Sequence, residues 1–191
     1  MSFVTSVTET EVLGARALQR TLVRISHEIV ERHSEGAPPV LIGMRTRGVP
    51  LAERIAQSIS HFASAPPPTG ALDISLHRDD IPLRNATAPL RTSVLPAAID
   101  DRVIVLVDDV LFTGRSIRAA LDALIDYGRP AAIELAVLID RGHRELPIRP
   151  DYIGKNLPTH REDEVLVRLA ETDGRDEVVL RSRTPAASAQ T

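Results

Sequence analysis

Cysteine is absent from the 191 residues, which removes disulfides, zinc thiolate sites and thiol nucleophiles together. Lysine is nearly absent: Lys155 stands alone among 23 basic residues, so chemistry that needs a lysine amine has a single candidate. Aromatic residues make up 3% of the chain, too few for a surface that reads many stacked bases. No apolar run approaches the roughly 18 residues of a membrane span. The opening MSFVTSVTETE lacks a basic region followed by an apolar one, so a cytoplasmic location is the default expectation. Neither G-x-x-x-x-G-K-[ST] nor G-x-G-x-x-G occurs, which disfavours nucleoside-triphosphate and dinucleotide loops of those kinds. A formal charge of -3 argues against attachment to nucleic acid by bulk charge and leaves only a local basic face.

What is present reads as one α/β domain, expected over residues 1–183 with a frayed tail at 184–191. Leu18, Leu22, Ile25 and Ile29 recur at helical spacing between Ala15 and His33. Val40 to Met44 is a short aliphatic run suited to a strand buried on both faces. Leu51, Ile55 and Ile59 mark a second helix, and ALDISLH, residues 71–77, alternates like a strand. Residues 78–101 lack a sustained period and read as a long flexible loop. Val103–Val107 and Ala131–Ile139 are buried strands. The segment DRGHRELPIRPDYIGKN looks mostly irregular, and EVLVRLA and EVVLRS look like two late strands. Strands alternating with helices imply a mostly parallel sheet with ligands at its carboxyl end.

The stretch VIVLVDDVLFTGRS carries the chemistry. A central strand runs into Asp108 and Asp109, and helix character resumes by Ser116, with Ile117, Leu121 and Leu124 buried and Gly128 as C-terminal cap. The free amides of such a helix start attract an anion. Thr113 and Ser116 add hydroxyls, and Gly114 allows close backbone approach. Paired acids beside a phosphate cradle describe a ribose 5-phosphate pocket. Two alternatives compete: a phosphoryl-accepting receiver site, where the extended TGRS turn has no purpose, and a solvated acid pair that caps a turn.

These residues resemble the 5-phosphoribosyl diphosphate (PRPP) signature of type I phosphoribosyltransferases. RISHEIVER, IGMRTRGVPLAERIA, LDISLHRDD and GRPAAIELAVLIDRGHRELPIRPDYIGKN extend the resemblance to the bifunctional pyrimidine-operon regulators and uracil phosphoribosyltransferases of bacteria. The resemblance implies a type I fold with a small hood, and the reaction of uracil with PRPP and Mg2+ to give UMP and diphosphate. It implies that Asp108 and Asp109 hold the ribose hydroxyls, that Val110, Leu111 and Phe112 line the site, and that Thr113, Gly114, Arg115 and Ser116 hold the 5-phosphate. Thr46, Arg47 and Gly48 resemble the diphosphate loop, with Arg47 stabilising the leaving group. Arg78 opens a loop that closes over the reactants, and Asp79 and Asp80 orient Mg2+ through water. Arg141 and, from the hood, Val165 are the expected uracil contacts; no general base is assigned.

The same resemblance implies an mRNA leader stem-loop as partner, control by transcription attenuation or at translation, response to UMP and UTP, and a homodimer or higher homo-oligomer. Arg16, Arg20, Arg24 and His27 share one helix face, with Arg32 about a turn beyond. Like charges four apart repel without an anionic partner, although many such faces are merely solvated. Arg141, His143, Arg144, Arg149 and Lys155 form the second basic group. Three departures stand out: Val23 where a hydroxyl residue is common, Phe112 in place of tyrosine, and a divergent long loop. The alternatives carried forward are a purine or orotate phosphoribosyltransferase, and an RNA-binding regulator with little catalysis.

Overall fold

The computed structural model describes residues 5–63, 65–75, 93–96 and 99–185. The order of elements is β1 (Thr5–Gly14), α1 (Ala15–Arg32), β2 (Val40–Met44), α2 (Gly48–Ser60), β3 (Thr69–Leu72), β4 (Val103–Leu111), α3 (Arg115–Ile125), β5 (Ala132–Asp140), β6 (Tyr152–Asn156), β7 (Glu164–Arg168), α4 (Ala170–Asp173) and β8 (Glu177–Pro185). Five strands form a parallel sheet in the order β3-β2-β4-β5-β6. β1, β8 and β7 form a separate antiparallel sheet, the hood.

Period-two patterning sorts β4 between two cores. Val105 and Val107 pack with Leu18, Leu22, Ile25 and Ile29 of α1 and with Leu51 and Ile55 of α2. Ile104 and Leu106 pack on the other face with Ile117, Ala120 and Leu124 of α3. The central strand is thus buried from both sides, as its unbroken aliphatic run requires. Val167, Leu169 and Val178 of the hood belong to the α1 and α2 core, so the hood rests on that face. Among the described residues no helix is long and apolar enough to cross a membrane.

Several boundaries differ from the sequence reading. The strand read as residues 71–77 is β3, displaced to Thr69–Leu72. Asp73 Oδ1 accepts the Ser75 amide at 2.9 Å, an Asx turn that ends the pairing. α3 stops at Ile125, short of Gly128, which is not its cap. The segment read as irregular contains β6, whose pairing with β5 was masked by flanking prolines. Thr184 and Pro185, assigned to the tail, pair with Ser6 and Thr5 through the backbone of β8. Most of the long loop lies outside the described residues, but its end folds back, with Ala71 and Val94 exchanging two backbone hydrogen bonds of 2.7 and 2.8 Å.

Candidate active site

Three junctions converge at the carboxyl end of the parallel sheet: β2 to α2, β4 to α3, and the segment after β5. β2 pairs with β4 only as far as Gly43 and Val107. Beyond that point β4 continues beside β5, through Asp108 opposite Val137 to Leu111 opposite Asp140. The two acids therefore lie within the strand rather than beyond its end, as the sequence had suggested, on a stretch past the β2–β4 register. Its start is met by Gly48, where an added Cβ would sit 2.2 Å from the Val107 carbonyl oxygen. Only glycine lets α2 start this close to the acids. The Arg45–Thr46 peptide in this loop is cis.

Asp108 Oδ1 accepts the Asp109 amide, and Asp109 Oδ1 accepts the Val110 amide, each at 2.9 Å. Burial pushes the Asp109 carboxyl above its ordinary range, against the Val110 amide and the positive charge of Arg47. Arg47 is thus near enough to act on the acid pair, although 62 residues earlier in the chain.

Gly114 adopts φ +92° at the start of α3, a conformation that side chains resist, and supplies no side-chain cap. Thr113 Oγ1 lies 3.4 Å from the Arg115 amide. Asp108 and residues 110–117 line a cavity of about 140 Å³. At about 30 Å³ per water this has room for an anion of phosphate size, beside the first residues of α3. A larger cavity of about 780 Å³ opens between residues 140–150 and 156–159. It lacks Asp108 and the helix start, which the smaller one has.

The phosphate turn is tied to the segment after β5. The Glu145 and Leu146 amides donate to the Thr113 carbonyl at 3.0 and 3.3 Å, and Arg115 Nε pairs with Glu145 at 2.9 Å. Glu145 also pairs with Arg161. Arg144 donates to Phe112 O at 2.9 Å, Ile148 O at 3.1 Å and Asp140 Oδ2 at 2.5 Å. Arg141 is buried, donates to Thr159 Oγ1 at 3.1 Å and His160 O at 2.9 Å, and stacks 4.2 Å from the Phe112 ring. Its side chain is engaged with protein groups, and burial depresses its pKa. His143 meets the edge of the same ring. Val165 is half-buried against the α1 and α2 core. Arg78, Asp79 and Asp80 lie outside the described residues. Among those described, no three His, Asp or Glu side chains group as a metal site.

The two basic groups, far apart in sequence, adjoin. Arg24 of α1 donates to the carbonyls of Ile153 and Gly154 in β6 at 2.9 and 2.6 Å and pairs with Glu28. Lys155 Nζ lies 3.5 Å from Val12 O. His27 stacks on Phe62 with ring centroids 4.1 Å apart, and Arg32 pairs with Glu134 and Asp151. Arg20 and Arg149 are exposed. Residues that sequence reading missed include Glu145 and Asp173; an isolated acid in a polar loop carries no local pattern that would single it out.

A doubly covered parallel sheet with an acid pair and an anion turn at its carboxyl end is the architecture of the phosphoribosyltransferases. Residues 10–172 match the family model described as phosphoribosyl transferase domain. The chain is 58% identical over 172 residues to the bifunctional protein PyrR of Chloroflexus aurantiacus, covering 90% of this chain and 94% of that one. It is 53% identical over 178 residues to the bifunctional protein PyrR of Streptomyces coelicolor, covering 93% and 92%. The hypoxanthine phosphoribosyltransferase of Trypanosoma cruzi superposes with a TM-score of 0.66 at 16% identity, covering 90% and 95%, a likeness of fold alone. The chain belongs to the phosphoribosyl transferase family and, within it, to the bifunctional PyrR proteins.

Proposed function

We propose that the protein transfers ribose 5-phosphate from PRPP to uracil, giving UMP and diphosphate, and controls pyrimidine biosynthesis genes by binding an mRNA leader stem-loop in response to UMP and UTP. The observation that carries the catalytic half is the β4 to α3 junction: Asp108 and Asp109 beside a glycine-started helix whose amides face a cavity of about 140 Å³. The acids accept hydrogen bonds from the ribose diol, and Thr113, Gly114, Arg115 and Ser116 receive the 5-phosphate. Displacement at C1 develops positive charge on the sugar and negative charge on the diphosphate. Asp109 lies on the side where the cation grows, and Thr46, Arg47 and Gly48 where the anion leaves, so each charge meets its complement. Mg2+, carried with PRPP, neutralises part of the diphosphate charge. Asp79 and Asp80 would orient it, and Arg78 would guard the closed site. Arg141, stacked on Phe112, and Val165 from the hood serve the uracil slot.

For RNA, the contacts are Arg20, Arg24, His27 and Arg32 of α1, Lys155 of β6, and His143, Arg144 and Arg149 of the segment between β5 and β6, with Arg24 tying α1 to β6. Phosphate and 2'-hydroxyl contacts suit these side chains better than base stacking. The protein acts in the cytoplasm as a homodimer or higher homo-oligomer. Parallel assays of PRPP with uracil, hypoxanthine, guanine and orotate test the reading. Uracil-dependent diphosphate release is expected, and preference for a purine or for orotate overturns it.

A further inference from the structure

The guanidinium assigned to the leaving diphosphate already has an anionic partner. Arg47 Nε donates to Asp173 Oδ2 at 3.2 Å and Nη2 to Asp173 Oδ1 at 2.9 Å. This two-pronged geometry is the one guanidinium also offers a phosphate. Asp173 is held in place independently of Arg47, since its Oδ2 accepts the Leu169 amide at 3.0 Å and the Thr172 hydroxyl at 2.6 Å. Arg54 of α2 pairs with Glu171 and Asp176 at 2.6 and 2.8 Å, docking the same turn of the hood, and Leu169 beside it is fully buried. The carboxylate is therefore placed in advance. Its pKa lies well below the usual range, chiefly through Arg47. The Arg47 and Asp173 side chains remain 35% and 22% exposed, so a solute anion can reach the pair.

We propose that Asp173 is an intramolecular stand-in for diphosphate: it holds Arg47 in the ligand-free site, yields it when PRPP binds, and recaptures it as diphosphate leaves. The inference rests on the reading of Arg47 as the diphosphate ligand. A diphosphate outbids a single carboxylate because it carries more charge, yet each binding event must first break the pair. Apparent affinity falls by the fraction of molecules with Arg47 free. For a partly exposed pair that factor is roughly two to five. Release gains what binding loses, because the returning carboxylate competes with the departing anion. Asp173 is thus a positioning residue that trades PRPP affinity for product release.

Calorimetric titration of inorganic diphosphate with Mg2+ into the intact protein tests this, alongside PRPP kinetics. Asp173→Asn keeps acceptors for Leu169 and Thr172 but removes the charge; Asp173→Ser repeats the removal with a different side chain should the first variant fold poorly. Diphosphate binding roughly two- to fivefold tighter is expected in either variant, with KM for PRPP lowered and kcat not raised. Glu171→Gln, which alters only the Arg54 pair, should leave diphosphate binding unchanged. Unchanged or weaker binding in the Asp173 variants overturns the proposal. Arg47→Ala separates the two layers: if it binds diphosphate like the parent protein, the role given to Arg47 fails as well. If Arg47→Ala loses binding while the Asp173 variants gain none, only the stand-in fails.

Discussion

Asp109 on β4 and Glu134 on β5 are carboxylates on adjacent strands of one sheet, and the protein treats them in opposite ways. Burial weighs on both. Glu134 answers it with partners: His33 at 2.9 Å, the Tyr152 hydroxyl at 2.6 Å and Arg32 at 3.0 Å. These outweigh burial and hold its carboxyl below the ordinary glutamate range, while Tyr152 is pushed up by burial and by Glu134. Asp109 has the Val110 amide, a hydrogen bond with Asp108 and a distant share of Arg47, and burial still wins. A carboxylate with three charged or hydroxyl partners at one end of the sheet braces the fold; the one at the other end keeps a raised pKa despite its hydrogen bonds. The contrast marks which acid to test for function: the one whose ionised form its surroundings penalise.

Removing the acid with three partners should have the larger effect on the fold. Glu134→Ala is expected to cost about 3 kcal/mol, since His33, Tyr152 and Arg32 lose their shared acceptor. For a chain of this size that is a fall in Tm of about 6–12 °C by calorimetry, with turnover per folded molecule unchanged. Asp109→Asn is expected to do the reverse. Turnover falls about 100-fold through misplaced ribose, while Tm at neutral pH holds or rises because a penalised charge is gone. Equal loss of stability and activity in both variants would erase the distinction.

The pH dependence sharpens it. The lowered pKa of Glu134 means that its contribution is present above the unfolded value, near 4, and is lost as pH falls through the folded value. Glu134→Gln should therefore flatten acid denaturation below about pH 4. The raised pKa of Asp109 works oppositely: its contribution is full below the unfolded value and is lost as pH rises through the folded one. Asp109→Asn should remove that loss, which denaturant midpoints measured across pH 3 to 7 would reveal. The smallest effect is expected far from either acid. Arg149→Ala should lower the salt slope of leader-RNA binding by about one and leave turnover alone; an unaltered slope removes Arg149 from the RNA surface.

The site was legible where chemistry and chain order coincide. VIVLVDDVLFTGRS places strand, acids, glycine and helix start in one contiguous run, and the left-handed Gly114 with the cavity beside it follows from local rules. The helix stripe of Leu18, Leu22, Ile25 and Ile29 was equally plain, because burial of a helix face leaves a period. β6 was missed because five residues with glycine, lysine and asparagine acquire strand structure only from β5 beside them. β1 was missed for a like reason, its partner β8 lying at the far end of the chain. Arg24 read as one charge in a stripe, whereas two β6 carbonyls nearly 130 residues away receive its guanidinium.

By itself the sequence determined the parallel sheet, the anion turn after its central strand and the class of ligand that suits it, because propensity, burial period and glycine conformation act within a few residues. Tertiary structure alone decided that Arg47 meets Asp173, that Glu134 gathers His33, Tyr152 and Arg32, and that Arg24 reaches the carbonyls of β6. Those outcomes depend on distances between elements that chain connectivity leaves open, and Coulomb and hydrogen-bond energies act only once packing has closed them.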